Sequence, residues 1–251
     1  HRATSPVVPI RSAERGTPTF FVHPVGGSVF CYTGLGRRWP AGGAFYALQA
    51  RGIEDDAAPL TTVEELAEYY CEALQRIQPR GPYHLGGWSL GGTVAFAMAR
   101  LLHSRGEVIG RLVLIDSTSP TTARVAKEDD TSLLAALRKD LHELGAVTSD
   151  GSDAVSEQQL KRLFRVFKAN YGAWLRYRCE EPLIADALQA IAFVAQDGDA
   201  QAAATEIANW HRALPGRLRV HYTPGNHYSI LAGQNLERLL EQLHRELASL
   251  P

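Results

Sequence analysis

Short apolar runs bounded by Gly, Pro, Asn or Ser recur at residues 19–25, 44–50, 82–86, 111–116, 188–196 and 218–223. Each is strand-sized, and runs such as Arg111-Leu112-Val113-Leu114-Ile115-Asp116 are apolar without a break, as expected of strands buried on both faces. Between them the pattern changes period. Val63, Leu66, Ala67, Tyr70, Leu74 and Ile77 repeat at helical spacing, as do Leu236, Leu239, Leu240, Leu243 and Leu247 near the C-terminus. Strands alternating with amphipathic helices predict an α/β fold: a mostly parallel sheet with helices on both faces.

The alternation lapses over residues 121–181, which contain no strand-like run. Leu133, Leu134, Leu137, Leu141 and Leu144 mark one helix there, and Leu160, Leu163, Phe164, Phe167, Tyr171 and Trp174 mark another. The polar break Thr148-Ser149-Asp150-Gly151-Ser152-Asp153 separates them. This segment reads as a helical lid inserted after the 111–116 strand, a cover that shapes a pocket, excludes water and hinges at its break. At the other end, Thr4-Ser5-Pro6-Val7-Val8-Pro9-Ile10 reads as an extended linker. The expected organisation is a linker over 1–16 and one domain over 17–251. A start at His1-Arg2 is what a piece excised from a longer protein shows, as does a processed terminus.

Composition narrows the function. With 251 residues, 45% of them hydrophobic, the chain is long enough for a substantial core, and a formal net charge of -1 with no basic tract gives no case for nucleic acid. The apolar stretches are strand-sized and the N-terminus is polar, so neither a signal peptide nor a membrane span is expected. Cys31, Cys71 and Cys179 are odd in number and lack metal-ligand spacing. A reduced, cytoplasmic protein follows.

The chemistry is concentrated at predicted strand ends. Gly87-Trp88-Ser89-Leu90-Gly91 follows the apolar run Tyr83-His84-Leu85 and leads into a helix-like segment, 92–105. In that context G-x-S-x-G reads as a nucleophile elbow: the central residue takes a strained backbone conformation, and the flanking glycines allow the close strand-to-helix approach. Ser89 is the candidate nucleophile. A serine hydroxyl needs an imidazole to take its proton and a carboxylate to orient that imidazole. Asp116 ends the next strand, and His227 sits in the turn Pro224-Gly225-Asn226-His227 after the last one, giving the order Ser, Asp, His. Asp197 and Asp199 follow the 188–196 run, so Asp197 is a rival for the acid. The loop His23-Pro24-Val25-Gly26-Gly27 follows the first strand, where glycines let backbone N–H groups approach a developing oxyanion. The N–H groups of Val25 and Leu90 are the candidate donors.

These residues together resemble the thioesterase domains that end type I nonribosomal peptide and polyketide assembly lines. The resemblance rests on the His23–Gly27 loop, Gly81-Pro82-Tyr83 leading to Gly86-Gly87-Trp88-Ser89-Leu90-Gly91-Gly92, the Leu114-Ile115-Asp116 strand end, the helical insertion and Gly225-Asn226-His227-Tyr228. It implies an α/β-hydrolase fold, with the acid on the strand after the elbow, which supports Asp116 over Asp197. It also implies that Ser89 takes a peptidyl or polyketidyl chain from the phosphopantetheine arm of an upstream peptidyl or acyl carrier domain. His227 would then activate the water, hydroxyl or amine that releases the chain by hydrolysis or macrocyclisation, with no metal or bound cofactor. Stand-alone editing thioesterases more often have His where Trp88 stands and carry a smaller lid, so Trp88 and the large insertion favour the integrated terminal domain. A free-standing thioesterase or small-molecule esterase is the enzymatic alternative, and a binding module with an idle triad is the non-enzymatic one.

Overall fold

The structure, a computed structural model, describes residues 5–122, 129–145 and 156–248. In chain order the elements are β1 (Val7–Arg11), β2 (Thr19–Val22), α1 (Thr33–Arg37), β3 (Phe45–Leu48), α2 (Val63–Gln75), β4 (Tyr83–Trp88) and α3 (Leu90–Ser104). They continue with β5 (Ile109–Ile115), α4 (Asp130–Glu143), α5 (Glu157–Arg176), β6 (Gln189–Ala195), α6 (Ala200–Ala213), β7 (Leu218–Thr223) and α7 (Gly233–Ala248). The seven strands form one sheet in the order β1-β3-β2-β4-β5-β6-β7. Among the described residues only β1 runs antiparallel, against β3; every other pairing is parallel. Among the described residues no helix is long and apolar enough to cross a membrane.

The unbroken apolarity of the strands follows from burial on both faces. Along β5, Leu112 and Leu114 join the core formed with α2, α3 and α6, while Val113 and Ile115 join the core formed with α1 and α7. Local signals set the helix starts. Thr62 and Glu65 make a reciprocal capping box at α2, as Ser156 and Gln159 do at α5, and Asp129 accepts from Ser132 N–H at α4.

The linker expected over 1–16 differs from what is found. Val7 to Arg11 are extended but belong to the sheet, with Val7 opposite Leu48, Val8 opposite Ala47 and Pro9 opposite Tyr46. Pro9, which lacks an N–H, is tolerated because β1 is an edge strand. The Arg11 guanidinium anchors its end on the carbonyls of Trp39, Ala41 and Gly43 at 2.6, 2.9 and 2.5 Å. A proline within the strand, another just before it and no alternation make this segment read as linker, and the neighbouring strand β3 that recruits it is distant in sequence.

The insertion between β5 and β6 carries the two expected helices. Leu133 and Leu137 of α4 pack against Phe167 of α5, and Val25 of the loop after β2 joins the edge of this cluster. The break expected to hinge, 148–153, lies outside the described residues.

Candidate active site

Parallel strands bring their C-terminal ends to one edge of the sheet, where loops from β2, β4, β5 and β7 meet. Ser89 stands alone between β4 and α3 with φ 58° and ψ -128°. A left-handed non-glycine residue costs on the order of 1–3 kcal/mol and persists only where its surroundings hold it. Here Ser89 N–H donates to Ile115 O at 3.0 Å, extending the β4–β5 pairing by one residue. A Cβ at Gly87 would overlap the carbonyl of Gly91, and a Cβ at Gly91 would overlap Val22 O. The two glycines of G-x-S-x-G are thus required by close backbone approach. Tyr32 joins the neighbouring strand ends, its hydroxyl donating to Val22 O at 2.6 Å and accepting from Trp88 N–H at 2.8 Å.

Asp116 follows β5 with φ 42°, a second strained position. Its Oδ1 accepts from Ala195 N–H at 3.0 Å and its Oδ2 meets His227 Nδ1 at 2.6 Å. Burial pushes this carboxyl up, but the hydrogen bonds from His227 and Ala195 and the imidazole's charge outweigh it and hold Asp116 below the usual carboxylate range. An ionised carboxylate only accepts, so His227 Nδ1 carries a proton and Nε2 is the basic nitrogen of the neutral ring. Asp197 is exposed, and Asp199 caps α6 by accepting from Gln201 and Ala202 N–H. It is Asp116, then, that reaches the imidazole.

The turn that presents His227 is built by Asn226, whose Oδ1 accepts from Tyr228 and Ser229 N–H, both at 3.0 Å. Trp88 closes it from the elbow side, its indole N–H donating to His227 O at 2.9 Å. Ser89 Oγ and the imidazole are not hydrogen-bonded to one another among the described residues.

Val25 packs against the apolar cluster that contains Leu90. Leu90 is the first residue of α3, so its N–H has no intrahelical acceptor. Val25 N–H is aimed indirectly. Pro24 O accepts from Gly27 N–H at 2.9 Å and from His23 Nδ1 at 2.7 Å, and in a trans peptide the following N–H points the opposite way. His23 is fully buried, and burial lowers it to about 4 despite its bond to Pro24. It is therefore neutral at neutral pH, with Nδ1 protonated and Nε2 accepting from Tyr70 OH at 2.7 Å. From the insertion, Asn170 Nδ2 donates to Val25 O at 2.9 Å.

A further carboxylate also arrives from the insertion. Asp140 of α4 is only 4% exposed, and its Oδ2 has no hydrogen-bond partner. That oxygen lies against Gly26, 2.7 Å from where a Cβ would stand. Burial raises Asp140 to about 6, although the nearby imidazole of His227 and the Tyr228 hydroxyl pull the other way. An acid whose folded pKa is raised adds no penalty below its free value of 3.8 and an increasing one as pH climbs through 6. At neutral pH the penalty is about 3 kcal/mol. Asp140→Asn is expected to raise the melting temperature well above pH 6, with the gain vanishing below 3.8; a gain independent of pH would mean that the charge is not its source.

Neither His23, Tyr32, Asn170 nor Asp140 carries a motif that assigns it a role. The signal available for the last two was a polar residue inside an amphipathic helix, which is ordinary on a solvated face.

Comparison with known proteins gives the family. A family model described as Thioesterase domain matches residues 17–247. The chain is 38% identical over 133 residues to the "Dimodular nonribosomal peptide synthase" of Bacillus subtilis (strain 168), covering 52% of this chain and 6% of that protein. It is 40% identical over 111 residues to "Polyketide synthase PksR" of the same organism, covering 44% of this chain and 4% of that protein. The chain thus spans a small fraction of the length of these relatives. Among solved structures, the NocB thioesterase domain in covalent complex with a fluorophosphonate nocardicin G analogue is 26% identical with a TM-score of 0.72, covering 94% of this chain and 96% of that one. The chain belongs to the thioesterase domain family and is a serine hydrolase with that family's α/β-hydrolase fold.

Proposed function

We propose that this domain releases finished chains from an assembly line: Ser89 accepts a peptidyl or polyketidyl group from the phosphopantetheine thioester of an upstream peptidyl or acyl carrier domain. Water or an internal nucleophile then frees the product by hydrolysis or macrocyclisation. The observation that carries the reading is the 2.6 Å contact between His227 Nδ1 and Asp116 Oδ2, beside a serine held in a strained elbow.

The steps follow from that contact. Nε2 of His227 takes the Ser89 proton as Oγ attacks the thioester carbonyl, and Asp116 stabilises the imidazolium. The tetrahedral oxyanion is held by Val25 and Leu90 N–H. Its collapse breaks the C–S bond, the proton passes from Nε2 to the departing sulfur, and an ester remains on Ser89. In the second half Nε2 takes a proton from water, hydroxyl or amine, and returns it to Oγ as the ester C–O bond breaks. The scheme uses no metal and no bound cofactor, since the pantetheine arm belongs to the carrier. The helical insertion acts as its lid, and the carrier partner implies work in the cytoplasm. The nonribosomal peptide and polyketide synthases among its relatives support a carrier-borne substrate.

The test is intact-protein mass spectrometry after mixing the domain with an acyl or peptidyl thioester of N-acetylcysteamine. A mass gain equal to the acyl group, mapped to Ser89 and absent in Ser89→Ala, is expected. No adduct and no thioester consumption across a broad panel would sink the reading.

A further inference from the structure

The His227 imidazole has an aromatic neighbour on the elbow side. The Trp88 indole lies with its ring centre 5.0 Å from that of the imidazole and the two planes 35° apart, nearer to stacked than to edge-on. Tyr228 completes the group, meeting the imidazole at 5.4 Å and 82° and the indole at 5.9 Å and 72°, so the three rings are in mutual contact. The indole N–H already donates to His227 O at 2.9 Å. Trp88 thus turns both its polar edge and its ring toward one residue, the base.

Packing alone accounts for part of this. Trp88 ends β4 and is buried in the core cluster that contains Phe21, Tyr32 and Ile115. A packing role asks only for bulk, and it acts equally on both charge states of the imidazole. An indole ring does not, because its negative face attracts a cation far more than a neutral ring. Burial of the indole keeps water from its side of the contact, which strengthens that attraction.

Under the proposed chemistry His227 is neutral before attack and positive only between taking the Ser89 proton and releasing it. The charged groups that face it are Asp116 after β5, bound to Nδ1, and Asp140 of α4; Tyr228 faces it as a neutral phenol, its hydroxyl pushed up to about 12 by burial. Neither Asp116 nor Trp88 occupies Nε2, so the proton can still come and go there.

We propose that Trp88 is a positioning residue whose indole ring stabilises the imidazolium form of His227, a contact that strengthens as Ser89 attacks and relaxes when the proton leaves. The inference rests on the proposed function, in which His227 is the base, and adds to it a residue that senses the base's charge. An interaction stronger in the transition state than in the ground state speeds the chemical step without tightening substrate binding.

The experiment places tryptophan analogues with one, two or three ring fluorines at position 88 alone, which withdraws charge from the ring face while keeping its shape and its N–H. Single-turnover acylation of Ser89 by the butyryl thioester of N-acetylcysteamine is then followed for each protein. The maximal rate is expected to fall stepwise with each fluorine, by about 2–10-fold across the series, with the half-saturating thioester concentration and the melting temperature unchanged. A maximal rate that is flat across the series overturns the inference, as does a melting temperature that falls in step with the rate, which would assign the effect to packing. In either of those cases the native domain still acylates, so the proposed function stands and only the inference falls. If the native domain forms no acyl-enzyme, both fall.

Discussion

Asp116→Asn is expected to lower kcat by about 10^4-fold, while Asp197→Asn leaves it near the native value. The size follows from the tautomer. In the native protein Oδ2 accepts from His227 Nδ1–H at 2.6 Å and Oδ1 is occupied by Ala195 N–H, so the carboxylate has one orientation and the imidazole one tautomer. An asparagine that keeps its oxygen on Ala195 N–H turns an NH2 toward Nδ1. That nitrogen must then accept, the proton moves to Nε2, and the base is lost. Asp197 is exposed and its backbone N–H, donating to Gly225 O at 3.0 Å, survives the substitution. Steady-state kcat on a single acyl thioester checks both variants. The reverse ranking would transfer the acid role to Asp197.

The next largest effect is expected at His23. His23→Phe is expected to lower kcat by about 10²-fold with little change in KM, the loss associated with one oxyanion donor. The imidazole does not reach the reacting atoms; it acts through the peptide it holds. Without Nδ1–H, Pro24 O keeps only Gly27 N–H, and the Pro24–Val25 peptide is free to tilt Val25 N–H away. Tyr70 also loses a 2.7 Å partner in a buried setting, so a lower melting temperature accompanies the change. The split between kcat and KM separates the two consequences, because destabilisation alone does not single out the transition state. A native kcat in a folded His23→Phe domain would assign control of the loop to Gly27.

Much of this architecture is legible along the chain. Six of the seven strands announce themselves as apolar runs because both faces of the sheet are covered, and the elbow announces itself because Gly87 and Gly91 have no room for a side chain. β1 does not, since an edge strand with a proline inside it needs only a partner to become one. Trp88 is readable as a bulky residue inside the elbow, but its indole hold on the His227 carbonyl joins positions 139 residues apart.

The sequence by itself determined every described strand but β1, the family and the short set of residues at strand ends from which a nucleophile, a base and an acid can be drawn. Those features are written in local patterns of apolarity and glycine. Which carboxylate meets the imidazole was decided only in three dimensions, because Asp116 and Asp197 both end strands and the His227 turn lands on one of them from 111 residues away. The hold of Asn170 on Val25 spans 145 residues, and the approach of Asp140 to Gly26 likewise joins the insertion to the loop after β2. A polar residue in an amphipathic helix carries no mark of what its neighbours will be; packing of the insertion on that loop turns two such residues inward against Val25 and Gly26.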